Sequence, residues 1–434
     1  MKRLLFTLVI ASFMMITIAD QPIWAGEVDI LIKKLVEKKI LSHSEAQELI
    51  SEIRKEEDKK KEEIKEVARE SAKKEAGASI SRLPKWLEKT RFVGDLRVRY
   101  QSEEKDNVTD PHRSRGRFRL RAGIETEVNE QWKAAFGIAS GGANPRTTNQ
   151  TFENTFDSPD LRIDYASIQY KPLKGLDILG GKFKNPLWQP RVFLWDSDIR
   201  PEGLAAKFNH SLTSNLDLFV TPGFFILEEF KNNTDDPAMW AFQPGIVWKF
   251  MDNTYLKLAG AYYVTDNLKG NTFDYSAGTN STDADEKFLY DYNAVAGDLE
   301  IGFEFPGPIP YLAIIGQYVR SNADDQQDQD GFDDNEGWLA GLKFGHKKIN
   351  EFGRWQVAYN YRRLERDAWP DFLSHSSFYN GSTNAKGHEI DLKFGLHKNV
   401  SIRLDYFKAE QIRLDSDNLD REKDWMAVDL DVKW

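Results

Sequence analysis

From Arg91 to the last residue, Trp434, the chain changes character at every second position. Between Phe92 and Tyr100 one set reads Phe92, Gly94, Leu96, Val98 and Tyr100, and the other Val93, Asp95, Arg97 and Arg99. Between Phe118 and Val128 the sets are Phe118, Leu120, Ala122, Ile124, Thr126 and Val128 against Arg119, Arg121, Gly123, Glu125 and Glu127. Side chains alternate across an extended strand, so each segment has one apolar and one polar face. Comparable segments recur at 131–139, 161–171, 176–185, 203–210, 216–226, 239–250, 254–265, 292–305, 309–320, 337–346, 353–364, 388–397, 400–411 and 424–434, which makes sixteen. Most have about the 9–11 residues that a tilted strand needs to cross a bilayer. Short connectors such as Asn129–Gln131, Met251–Asn253 and Lys398–Asn399 alternate with long polar ones at 101–113, 140–160, 266–291, 321–336 and 365–387. The pattern predicts an all-β transmembrane protein, a sixteen-stranded antiparallel barrel over residues 91–434. It must close, because an open edge in lipid would leave backbone groups unpaired. In 161–171 either phase turns a polar residue, Asp164 or Gln169, toward lipid.

Composition narrows the alternatives. Charged residues make up 29% of the chain and the mean hydropathy is -0.58, which excludes a bundle of apolar membrane helices. The net charge of -10 argues against nucleic acid as a partner. There is no cysteine, so disulfides, thiolate zinc sites and iron–sulfur clusters are out. The 12 Trp, 15 Tyr and 27 Phe suit a protein whose apolar residues face lipid and whose interior is wet.

The first 90 residues read differently. Lys2 and Arg3, the apolar run Leu4–Ile18 and the small residues Ala19, Ala25 and Gly26 have the order of an export signal over 1–25. Residues 26–82 are expected to form a charged periplasmic helical segment. Ser42 and Glu45 have capping-box spacing. Ala46, Ile50, Ile53, Glu57, Lys60, Ile64, Val67, Ser71 and Lys74 form an interrupted heptad seam. A single solvated helix and a self-associating coiled coil both fit it. Residues 83–90 read as a linker.

The last strand is the most specific signal. Met426, Val428, Leu430, Val432 and Trp434 alternate with Ala427, Asp429, Asp431 and Lys433, and Trp434 ends the chain. A terminal aromatic preceded by apolar residues at every second position looks like the assembly signal of Gram-negative outer-membrane proteins. Residues 83–434 resemble the "putative porin" family and, more distantly, the sixteen-stranded trimeric porins. The run Gly180-Gly181-Lys182-Phe183-Lys184-Asn185-Pro186-Leu187-Trp188 is similar to a Gly-Lys…Asn-Pro-aromatic run of that family. The resemblance implies a passive outer-membrane channel rather than an enzyme, a homotrimer, contact with lipid and lipopolysaccharide, and recognition of Trp434 by the assembly machinery.

With the lipid face fixed, the alternate set faces the lumen. Arg97, Arg99, Arg117, Arg119 and Arg121 form a basic wall on the first two strands. Glu389, Asp391, Asp405, Asp429 and Asp431 come from the last three strands, and closure puts the last strand beside the first. These charges either solvate a wet wall and pair locally or set a transverse field at a narrow point. The third outer connector, Asn185–Glu202, carries Trp188, Phe193, Leu194, Trp195 and Ile199, too apolar to lie in water. Folded inward, as the third loop is in the porins the chain resembles, it would turn Asp196, Asp198 and Glu202 toward the arginines. Packed on the rim or at a subunit contact, it would not.

Other chemistry is sparse. The seven histidines show no dense ligand spacing, and no catalytic, metal or cofactor residues are expected. His375 lies among Ser374, Ser376 and Ser377, which leaves an outer-membrane hydrolase as a distant rival. The acidic loop Asp324–Glu336 fails the EF-hand frame, which leaves a simply solvated acidic loop as the main reading and loose Ca²⁺ or Mg²⁺ binding to lipid sugars as the alternative. The other rival is a tether that holds the barrel to the cell wall through the helical segment.

Overall fold

The computed structural model describes residues 88–108, 112–231, 235–323, 334–414 and 421–434, with scattered positions between 34 and 66. The expected export signal, every residue of the heptad seam and most of the acidic loop 324–336 lie outside the described residues. Residues 1–84 and 85–434 form separate units. In the first, Ser42 N–H donates to Glu45 Oε2 (2.9 Å) and Glu45 N–H to Ser42 Oγ (3.3 Å). That reciprocal pair is the capping box the spacing suggests.

The second unit is a closed antiparallel barrel. In chain order its strands are β1 (Thr90–Lys105), β2 (His112–Glu127), β3 (Trp132–Ala139), β4 (Gln150–Thr151), β5 (Arg162–Leu173), β6 (Leu176–Lys182), β7 (Glu202–Ser211), β8 (Leu216–Ile226) and β9 (Ala238–Met251). Then follow β10 (Thr254–Asp266), β11 (Ala294–Glu304), β12 (Tyr311–Ser321), β13 (Glu336–Gly345), β14 (Trp355–Leu364), β15 (Ala385–His397), β16 (Val400–Gln411) and β17 (Lys423–Lys433). Strand β4 is two residues long and pairs only with β2, opposite Arg117 and Phe118. The other sixteen correspond one to one with the segments read from the sequence. β1 pairs with β2 on one side and with β17 on the other, which closes the sheet.

Two local differences have physical causes. β1 and β2 are 16 residues each, so most of the expected 101–113 loop is strand. Gln101–Glu104 pair with Arg115–His112, and they carry polar residues on both faces, so no apolar alternation marked them. In β5 the register shifts opposite Gly137 and Ile138: Tyr165 pairs with Gly137 and Ile163 with Ile138. The extra residue, Asp164, makes a β-bulge. Asp164 and Tyr165 are both buried while Ile163 and Ile168 face out, so neither of the two phases read from the sequence holds along the whole strand.

Outward positions such as Leu96, Val98, Ile168, Leu204, Trp240, Phe242, Leu258, Ile314, Leu342 and Leu430 expose large apolar side chains, as a lipid-facing belt requires. The interior corrects one expectation, because only part of it is polar. Inward residues of β8–β13, including Phe225, Met239, Tyr263, Ile315, Val319 and Leu339, pack with Phe193, Leu194, Trp195, Phe288, Trp369 and Phe372 of the long loops into one buried apolar cluster. Trp195 lies edge-on to Phe225 (5.9 Å between ring centres) and to Trp369 (6.0 Å). Burying such a ring stabilises by roughly 2–3 kcal/mol, which holds the loops inside. Period two assigned these residues inward, but it could not say that they meet protein instead of water.

The closure seam yields a test. Gly94 and Trp434 exchange backbone hydrogen bonds (3.2 and 3.1 Å). A Cβ on Gly94 would lie 2.4 Å from the Arg121 carbonyl oxygen and 2.5 Å from the Trp434 ring. Gly94→Val should therefore lower the melting temperature of the detergent-purified barrel by several degrees. An unchanged melting curve would show that the seam relaxes freely.

Candidate conduction path

The basic wall follows from register. Across β1 and β2, Asp95 lies opposite Arg121, Arg97 opposite Arg119 and Arg99 opposite Arg117. Across β1 and β17, Arg97 lies opposite Asp431 and Arg99 opposite Asp429. Two of these three pairs set arginine against arginine, and the acids of the last strand compensate them on the other seam. Arg99 makes a two-point pair with Asp429 (Nε–Oδ1 2.6 Å, Nη2–Oδ2 2.8 Å), and Arg97 donates to Asp431 (2.8 Å). Arg119 and Arg121 share Asp95 at 2.5 and 2.8 Å. Arg117 has no carboxylate partner among the described residues; its Nη2 donates to the Asn149 carbonyl (2.8 Å).

The connector between β6 and β7 crosses the interior and is tied down along its length. The Trp188 N–H and carbonyl bond both ends of the Gln243 amide at 2.7 Å. Arg191 pairs with Glu389 and with Asp391 (2.9 Å) on β15. Asp196 N–H donates to the Leu373 carbonyl (2.8 Å), and Trp369 Nε1 to the Leu194 carbonyl (2.8 Å). Arg121 donates to Asp198 (3.2 Å), which also accepts from Thr148 N–H and Oγ1 at 3.0 Å each. Arg200 then reaches the bulged Asp164 (3.2 Å). Both Asp196 and Asp198 are buried. Burial, reinforced by the charge of Asp198, pushes the Asp196 carboxyl above the ordinary range. Burial acts the same way on Asp198, but Arg121 and Arg119 outweigh it and hold that carboxyl low.

Glu202 departs from the expectation. It is the first residue of β7, exposed, and paired with Lys182 on β6 rather than turned toward the arginines. It shares the outward parity of Leu204, and the connector ends one residue before it. A second lattice joins the inward acids Glu389, Asp391 and Asp405 with Arg191, Arg362 and Arg403, three arginines that the sequence reading does not single out. Arg362 also donates to His375 Nδ1 (3.1 Å). Burial and the Arg362 charge hold His375 well below its ordinary value, so its ring is neutral. Ser374 and Ser376 donate their hydroxyls to the carbonyls of Gly381 (2.7 Å) and Arg146 (3.0 Å), not to His375.

Two cavities flank the crossing loop. One, of about 320 Å³, opens on the side of the long connectors and touches Arg115, Arg117 and Asn149. The other, of about 660 Å³, lies on the side of the short turns and touches Val93, Lys433 and Trp434. Both reach Arg97, Arg119, Ser197 and Asp198, so they approach each other between the arginine wall and the loop.

A family model described as "Putative porin" matches residues 58–108, 104–297 and 311–434. The chain belongs to this porin family. No curated protein matches it. Among solved structures, the porin is similar to a high-pH structure of OprB from Pseudomonas putida, at 12% identity and a TM-score of 0.51, covering 80% of this chain and 95% of that one. It is also similar to the outer-membrane channel DcaP of Acinetobacter baumannii (15% identity, TM-score 0.44, 80% and 97% covered). Salmonella typhi OmpF in complex with daunomycin gives 11% identity and a TM-score of 0.46, with 80% and 97% covered. Membership of the porin family makes this chain a channel of the outer membrane.

The two loop acids separate by their partners. Because its carboxyl is held low in the fold, Asp198 stabilises the porin at neutral pH. That contribution is lost only as pH falls below the ordinary carboxylate range. Asp198→Asn should cost about 3 kcal/mol at pH 7, since it breaks a buried pair. Asp196 is raised, so its charge opposes folding at neutral pH, and Asp196→Asn should cost about 1 kcal/mol or less. Thermal melts in detergent at pH 7 compare them, and equal losses would refute the assignment.

Proposed function

We propose that the porin passes ions and small polar solutes by passive diffusion along the wall of Arg97, Arg99, Arg117, Arg119 and Arg121, past Asp196 and Asp198 on the crossing loop. The observation that carries this reading is the pair of cavities that both reach Arg97, Arg119 and Asp198, one from each side of the crossing loop. The apolar cluster fills the lumen beside β8–β13, which leaves the charged side for water. We also propose that the particle is a homotrimer, that residues 1–25 direct export, that residues 26–82 stand in the periplasm, and that Trp434 is read during assembly. The resemblance to the trimeric porins suggests the first of these, and the place of Trp434 at the closure seam supports the last.

An arginine keeps its proton at working pH, so the wall stays positive. Changing Arg117, Arg119 and Arg121 together to Ser should shift the reversal potential in a salt gradient toward cations, because Asp95 then loses both its partners. The shift should shrink as salt rises, since the Debye length falls from about 30 Å at 0.01 M to about 3 Å at 1 M. An unmoved reversal potential at low salt would remove these arginines from the path. Native mass measurement of the particle should give three copies; a monomer at every concentration would overturn the trimer.

A further inference from the structure

Most cations of the lumen are matched. Arg97, Arg99, Arg119 and Arg121 pair with Asp431, Asp429, Asp95 and Asp198, and Arg191, Arg362 and Arg403 with the acids of β15 and β16. Two that are not, Arg117 and Arg146, stand at the outer cavity. Arg117 stands opposite Arg99 and is flanked on its own strand face by Arg115 and Arg119, and no ion pair reaches it among the described residues. Its Nε is buried with no acceptor. The Gln101 amide lies 3.4 Å from its Nη1, but the same amide with its oxygen toward Arg115 Nη2 (2.8 Å) and Trp425 Nε1 (2.9 Å) satisfies two donors, which leaves Arg117 only the Asn149 carbonyl.

Arg146, in the connector between β3 and β5, lines the same cavity and is buried. Its guanidinium donates only to carbonyls, those of Asp371 (2.6 Å), Gly381 (2.9 Å) and Tyr275 (3.1 Å), and its Nε also lacks an acceptor. Asp371 and Asp196 act on it by charge, but neither carboxylate is within ion-pair distance of its guanidinium: Asp371 accepts from Ser276 (3.0 Å) and Thr279 (2.9 Å), and Asp196 from the N–H groups of Asp198 (2.8 Å) and Ser376 (2.7 Å). On the rim, Glu103 is shared by Arg115 (3.3 Å) and Lys423 (2.8 Å), so one carboxylate answers two cations. The outer cavity therefore presents two guanidiniums, Arg117 and Arg146, that no carboxylate contacts among the described residues and that backbone carbonyls hold in place. Low-dielectric walls focus the field of such groups on a solute, and planar guanidinium groups match the geometry of carboxylate and phosphate oxygens.

We propose that the outer cavity is a binding site for small, doubly charged oxyanions, carboxylate or phosphate, held chiefly by Arg117 and Arg146. This rests on the channel reading above: the solute would pause here before passing the narrow point at Arg119 and Asp198. The cavity, about 320 Å³, holds a small organic dianion, and Asn144, Asn149 and Ser376 on its lining offer neutral hydrogen bonds to the remainder.

The test is block of chloride current through the porin in a planar bilayer, with inorganic phosphate or succinate added on the loop side at fixed ionic strength. The half-blocking concentration is read against each variant's own current. Wild type should show saturable block by at least one of the two, and the arm that blocks assigns the group as phosphate or carboxylate. Arg117→Gln should raise the half-blocking concentration at least tenfold, whereas Arg117→Lys, which keeps the charge, should recover most of the block. Arg146→Gln should act in the same direction, but Arg146 also ties three loop carbonyls, so the Arg117 variants decide. Absence of block by both anions in a conducting wild type, or the same half-blocking concentration in Arg117→Gln, would overturn the site while leaving the channel intact. A wild type that does not conduct in potassium chloride would overturn the channel reading itself. Protection of the detergent-purified wild type against heat by the blocking anion, absent in Arg117→Gln, gives a readout independent of current.

Discussion

Everything in the barrel depends on the pairing of β1 with β17. In hydrocarbon there is no water to satisfy a free N–H or C=O, and each unpaired group costs several kcal/mol. Eleven residue pairs, from Asp95 with Lys433 to Lys105 with Lys423, remove that cost where the ends of the sheet meet. The same seam decides the electrostatics. Because β17 arrives antiparallel and in this register, Asp429 and Asp431 come to rest beside Arg99 and Arg97. A slip of one residue would turn both acids toward lipid and leave the arginines facing one another without compensation.

Inside the cylinder two different kinds of packing divide the space. Beside β8–β13 the long connectors fold in and bury aromatic rings against small and apolar wall residues, as in the core of a soluble protein. Beside β1, β2 and β14–β17 the wall is an ionic lattice. The crossing loop belongs to both. Trp195 and Phe193 anchor it in the apolar half, while Arg191 and Asp198 tie it to charged walls. Ordering such a segment costs about 1–2 kcal/mol per residue in backbone entropy. Neither the rings nor the ion pairs alone offset that, and their combination along nearly every turn of the loop explains why it can stay across the lumen. Water is left the strip between the loop and the arginines.

Pairing also tempers what a row of arginines means. Five of them on two strands suggest a strongly positive wall, yet four are matched by carboxylates within hydrogen-bonding distance. Arg117 and, beyond the strands, Arg146 contact no carboxylate among the described residues. Counting basic residues along a strand therefore overstates the field, and the positions whose partners are only carbonyls locate it.

The sequence by itself determined the number of membrane-crossing strands, their order, the face that each except β5 turns to lipid, and the apolar character of the loop between β6 and β7. Those follow from period two and from composition, which are local properties of the chain. It also placed Asp429 and Asp431 near the first arginines, because closure leaves no other neighbour for the last strand. Tertiary structure alone decided the rest. The bulge at Asp164 resolved a strand that no single phase could satisfy, since the extra residue is defined only by its partner Gly137. Glu202 fell one residue past the loop, onto the outward parity of β7. Half the lumen became dry, because whether an inward Tyr263 or Ile315 meets water or Trp369 depends on loops a hundred residues away. The pairing of Arg191 with Glu389 spans 198 residues of chain, and no spacing rule reaches that far. A local pattern fixes which way a side chain points; what it then touches is set by the rest of the fold.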